Sequence, residues 1–233
     1  MKATKSLKAI LVLAGALFLL MYPVSSKADT ISFDLTVPNT AISPYTGPYA
    51  HVVVDLTSAT TATITFTSLT NSGNIYLMGD GSSAAVNVNA TSFTVGSITG
   101  TNSGTGFNTI PPGNQPRFSL SSGEVDGFGN FNLAIDIFNG FTYSVDTLSF
   151  VITETPGPTW VTANDVLIAN DPTHNALAAS HIFVTSDPAN ASNKALATGY
   201  ASNGVAVPEP GILILLGIAM SAIGAASWRI SKI

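Results

Sequence analysis

The side chains able to move protons or hold a metal ion are few. Three histidines, His51, His174 and His181, and a scatter of carboxylates are spread over 233 residues. His174 and His181 stand seven apart with Pro172 before them, so no single helix presents them as an i, i+4 pair, and no H-E-x-x-H motif occurs. Cysteine is absent, which excludes a thiol nucleophile and thiolate metal sites outright. Serines are abundant, yet none stands in a G-x-S-x-G elbow. A glycosidase needs two carboxyl groups facing each other across a cleft. Asp126 and Asp136 are the pair to consider, but nothing in their spacing places them so. The expectation is a protein that is not an enzyme and uses no cofactor, with a polysaccharide hydrolase as the third-ranked reading.

Binding chemistry has more to work with. Glu124, Asp126 and Asn130 share a loop with Gly127 and Gly129. Oxygen ligands on such a loop suit Ca²⁺, but the ligand order of an EF-hand is missing, and a polar turn without metal is the expected state. Pro44-Tyr45-Thr46-Gly47-Pro48-Tyr49 sets two tyrosines in a turn-rich segment, and Trp160 follows a proline-rich bend. Aromatic rings on loops stack on sugar faces. Tyr45, Tyr49 and Trp160 are therefore the candidate glycan contacts; the competing reading is that they cover the ends of a core.

Strands must position these residues. Ile31, Phe33, Leu35 and Val37 alternate with polar neighbours, as do Val52, Val54, Leu56 and Ala62, Ile64, Phe66. This period of two marks half-buried strands. His51 opens its strand at what reads as an edge position. Val86, Val88 and Ala90 read as leading on to Phe93 and Val95. Phe131, Leu133, Ile135 and Ile137 run up to Asn139-Gly140, a hairpin turn signal. A return strand is expected from Phe141 through Ile152, with a β-bulge near Asp146-Thr147 where the parity shifts. Further turns fall at Asn71-Ser72-Gly73-Asn74, at Gly79-Asp80-Gly81 and across Asn102 to Gly106. Thr162-x-x-Asp165 has the form of a capping box and predicts one or two helical turns. His181 to Val184 and Ala195 to Ala201 complete the strands. The pattern predicts an all-β, antiparallel sandwich of jelly-roll or immunoglobulin-like type over residues 29–201, with 202–206 as a linker.

The ends have a different composition. Lys2, Lys5 and Lys8 precede the apolar run Ala9 to Met21, and Ser26-Lys27-Ala28 offers small residues to a signal peptidase. A signal peptide of residues 1–28 is expected, cut between Ala28 and Asp29. Between Asp29 and Val207 only Arg117 and Lys194 oppose twelve carboxylates, a formal charge of −10. Such a domain lacks the basic patch that nucleic acid or an anionic membrane surface requires.

Val207-Pro208-Glu209-Pro210 stands before Gly211 to Ser227, a charge-free run of 17 residues, then Trp228, Arg229 and Lys232. At about 1.5 Å per residue the run reaches roughly 25 Å, enough for one transmembrane helix. The prolines keep the preceding motif extended. Basic residues at both ends stay on the cytoplasmic side and leave the domain outside. Motif, helix and basic end together resemble the PEP-CTERM sorting domain of Gram-negative bacteria, over residues 207–233. The resemblance implies recognition by exosortase at Val207 to Pro210 and at Arg229. It also implies transient residence in the inner membrane, delivery to the cell surface or beyond, and an association with exopolysaccharide and biofilm. Arg229 and Lys232 stand where the family carries a cluster of arginines.

Overall fold

The computed structural model describes residues 29–102, 118–137, 140–155, 160–186 and 195–206. The expected signal peptide with Ala28, the sorting motif Val207 to Pro210, the apolar run and Arg229 lie outside the described residues. Among those described, no helix is long and apolar enough to cross a membrane.

Among the described residues thirteen strands form two antiparallel sheets. The first sheet contains β1 (Asp29–Leu35), β3 (Ala50–Ser58), β4 (Thr61–Ser68), β11 (Thr147–Glu154) and β8 (Phe93–Thr101), in that order. The second runs β2 (Val37–Pro38), β13 (Ala197–Ser202), β12 (Ala178–Ser186), β7 (Ala84–Val86), β10 (Gly129–Ile137) and β9 (Phe118–Val125). β6 (Asn74–Met78) lies beside β7 on the same flank of β12 and pairs in turn with β5 (Thr70–Asn71).

Period-two patterning explains the packing. In β3 and β4 every second residue is buried: Val52, Val54, Leu56 and Ala62, Ile64, Phe66. Leu148, Phe150 and Ile152 of β11 continue this inner face, with Phe66 and Phe150 stacked at 6.4 Å. Leu133, Ile135 and Ile137 of β10 and Ile182 and Val184 of β12 meet it from the second sheet in one core. The outer face of the first sheet is rich in hydroxyls, Thr65 bonding Ser149 at 2.9 Å across strands.

Several local expectations meet their counterparts. Ser72 and Gly73 take positive φ (53° and 78°) between β5 and β6, as a two-residue hairpin turn requires. The capping box at Thr162 and Asp165 opens a single 3-10 turn, Ala163–Asp165.

Others are corrected. Gly140–Tyr143 is a 3-10 turn, and β10 and β11 belong to different sheets, so no hairpin joins them. Phe141 folds against Phe183 (5.2 Å between rings), and Val145 exchanges two hydrogen bonds with Met78 of the second sheet. The parity shift at Asp146-Thr147 therefore marks a crossing between sheets; the register shifts lie elsewhere, one of them between Phe131 and Ala134. Val86 to Val95 is likewise no single strand. β7 is in the second sheet and β8 in the first, and Asn89 staples the crossing: its N–H donates to Val166, its amide to the Asp165 carbonyl, and its own carbonyl accepts Trp160 Nε1. β3, with His51, lies inside its sheet between β1 and β4, not at an edge. Residues 202–204 belong to the domain: Ser202 ends β13, and the Asn203 side chain accepts the N–H groups of Leu177 and Ala178.

Candidate functional site

The aromatic residues nominated by the sequence close the ends of the core. Tyr49 is 1% exposed and Trp160 2%, so neither presents a ring face to a sugar. Trp160 Nε1 donates to the Asn89 carbonyl at 2.9 Å. Tyr49 packs on Tyr76 at 4.8 Å and donates its hydroxyl to the Tyr45 carbonyl; Tyr76 donates to Thr46 at 2.6 Å. Burial, with Tyr76 adding to it, pushes the Tyr49 phenol up to about 12. Tyr45 is half-buried against the same core. Tyr49 and Tyr76 are a buried phenol pair tied to loop carbonyls, and Tyr45 supplies one of those carbonyls.

The histidines pair with neighbours rather than with one another. His51 Nδ1 meets Asp34 Oδ1 at 2.6 Å across β3 and β1. His174 Nδ1 meets Asp171 Oδ2 at 2.7 Å, while Asp171 Oδ1 accepts the N–H groups of Thr173 and His174. Desolvation opposes ionisation of Asp171, but these hydrogen bonds outweigh it and hold its carboxyl below the usual range. Gly129 (φ +76°) makes room for this pair, since a Cβ there would sit 2.5 Å from Asp171 Oδ2. Among the described residues no three His, Asp or Glu side chains converge as a metal site.

On the outer face of the second sheet, His181 stacks on Tyr200 at 4.6 Å and tilts against Phe183 at 5.0 Å. His181 Nε2 meets the Thr198 hydroxyl at 2.7 Å. Burial pushes the imidazole below its ordinary range, with the Gly79 backbone and the Asp80 carboxylate offsetting only part of this. The two aspartates weighed as a catalytic pair flank this stack. Asp126 accepts the Asn39 amide (2.8 Å), whose oxygen accepts Tyr200 N–H; Asp136 accepts Ser82 N–H (2.6 Å), whose carbonyl accepts His181 N–H. Burial first, then Asp126, Asp80 and Asp136, raise the Tyr200 phenol. Both carboxylates are thus engaged in fastening loops to the sheet.

An open site lies elsewhere. Among the described residues β8 and β9 are edge strands, one from each sheet, and between them runs a cleft of about 480 Å³, within the size range of small-molecule sites. Phe93, Val95 and Leu133 form apolar walls; Leu120, 52% exposed, stands at the rim; Thr94, Ser121 and Ser122 supply hydroxyls. Asn132 lines it too, but its amide is spent on both the N–H and the carbonyl of Val88, extending the β7–β10 pairing past the strand's end. An aromatic edge, aliphatic walls and hydroxyls suit a small amphipathic ligand. The sequence placed Phe93 in a strand continuing from Val86; in the structure it packs against the core and borders the cleft, because the pairing order makes β8 and β9 neighbouring edges.

Fold and cleft together define a class: the described residues form a two-sheet antiparallel β protein with a cleft between the β8 and β9 edges. Beyond that class no relative narrows the identity: no known family model, curated protein or solved structure matches the chain.

Proposed function

We propose that this chain is an exported, non-catalytic surface or extracellular-matrix protein, sorted by an exosortase and associated with exopolysaccharide. The observation that carries the reading is the order of features at the C-terminus: Pro208-Glu209-Pro210, a charge-free run over 211–227, then Arg229 and Lys232. The apolar run, as a transmembrane helix, holds the precursor with its domain outside, and the extended motif is the protease-accessible segment. At the other end a signal peptidase cuts between Ala28 and Asp29; Asp29 opens β1, and its carboxylate accepts the Ala163 N–H at 2.7 Å. Mass spectrometry of the secreted or surface protein is expected to find no peptide from residues 212–233, and Glu209→Ala to leave the precursor in the inner membrane. Recovery of the intact C-terminus from the outer-membrane or extracellular fraction would refute the sorting.

A second reading, a carbohydrate-binding module, is favoured by one observation, the cleft between β8 and β9. It replaces the loop aromatics as the place where a sugar would lie. A glycan array probed with the full chain in detergent tests it, with Phe93→Ala expected to abolish whatever signal is found. A binding signal that survives Phe93→Ala would move the site away from the cleft.

A further inference from the structure

A second cavity, of about 270 Å³, opens where the two sheets meet at the start of β11. Thr67 of β4, Thr101 of β8 and Thr147 of β11 line it from the first sheet; Thr70 of β5 and Ile75 of β6 line it from the second. Ser68 and Asp146, where the chain passes between the sheets, complete the wall. Thr147 pairs directly with Thr67 on one side and with Thr101 on the other, so three hydroxyl side chains form one row across adjacent strands. Directly opposed residues have Cβ atoms about 5 Å apart. Among the described residues this cavity shares none with the cleft between β8 and β9.

Asp146 lines the cavity although the residue is only 8% exposed. Its backbone is clamped from both sides: its N–H donates to the Thr101 carbonyl at 2.9 Å, and its carbonyl accepts the Ser68 N–H at 2.7 Å. The Thr101 hydroxyl reaches its Oδ1 at 3.4 Å. A carboxylate this buried is rare in protein interiors, and here the strand ends fix it at the wall of an open cavity. Ile75 supplies an apolar surface. A carboxylate accepts hydrogen bonds, whereas threonine and serine hydroxyls both donate and accept. One carboxylate, five hydroxyls and an aliphatic side chain therefore match a compact neutral molecule with hydroxyls around an apolar ring. The volume falls just under the range for drug-sized ligands, which suits one sugar ring and not a chain of them.

We propose that this cavity is a monosaccharide site, in which the Asp146 carboxylate and the hydroxyls of Thr101 and Thr147 hold the hydroxyls of a single hexopyranose. The site is independent of the cleft. The test titrates the full chain in detergent with methyl glucoside, methyl mannoside and methyl galactoside by saturation-transfer NMR, beside thermal unfolding, for the wild type, Asp146→Asn, Thr147→Val and Phe93→Ala. At least one glycoside is expected to bind the wild type. Asp146→Asn keeps the shape and removes the charge, and should weaken that binding about tenfold or more; Thr147→Val exchanges a hydroxyl for a methyl and should weaken it about three- to tenfold. Phe93→Ala should leave it unchanged. If Asp146→Asn does not fold, Thr147→Val decides, since an outer-face substitution should hold Tm within about 2 °C of the wild type. Unchanged affinity in either cavity variant overturns the site, as does failure of all three glycosides to bind. Loss of binding in Phe93→Ala also overturns it and returns the sugar to the cleft.

Discussion

Trp160 is the residue whose type misleads most from sequence. A tryptophan after a proline-rich bend looks like a ligand platform, yet its indole is buried and its one donor is spent on Asn89. Trp160→Ala is expected to cost about 3–5 kcal/mol of stability, read by urea unfolding, because it opens a large cavity. His181 gives a pH dependence. Its folded pKa is lowered by burial, so the unfolded chain takes up the proton first. The contribution is complete above the unfolded value, near 6.5, and is lost as pH falls from there through the folded value. Tm should therefore decline as pH falls below about 6.5, and His181→Phe should flatten that limb; an unchanged limb would exclude His181 as its source. Asp165 and Asp171 act in a separate, more acidic window. The Thr162 N–H and hydroxyl, with the Val161 N–H, hold the Asp165 carboxyl low, so both aspartates lose their contribution only as pH falls through their lowered values.

At the scale of elements, alternation within strands was legible because burial of one face imposes period two. Partner choice was not. The run from Phe131 to Ile137 and the residues after Asn139-Gly140 satisfied a hairpin rule locally, but Phe141 gains a ring contact and Val145 a bridge that carry the chain to the other sheet. Asn132 shows the same limit: an asparagine between Phe131 and Leu133 reads as a solvent-facing residue, yet it serves as a side-chain extension of the β7 ladder. Asn132→Ala is expected to cost about 1–3 kcal/mol in urea unfolding, since it strips both backbone groups of Val88 of their partners. A change within a few tenths of a kcal/mol would mean that water replaces the amide. The capping box and the Ser72-Gly73 turn needed no such context, because each is satisfied within four residues.

For the whole molecule, charge and its distribution are the main facts. With −10 between Asp29 and Val207 and basic residues gathered at the ends, the chain separates an acidic middle from two basic termini. If Arg229 and Lys232 orient and release the precursor, replacing both with Gln should retain it in the inner membrane, as cell fractionation with immunoblotting would report; normal release would remove them from the sorting signal. The sequence by itself determined the all-β class, the faces of most strands and the local turns. Each of these follows from residues near one another in the chain: periodicity, and proline and glycine geometry. Only the tertiary structure decided that Tyr49 and Trp160 are core, that Asp126 and Asp136 fasten loops, and that Phe93 borders a cleft. Those outcomes depend on which strands become edges and which sheet each strand joins, and that is fixed by contacts between residues tens of positions apart.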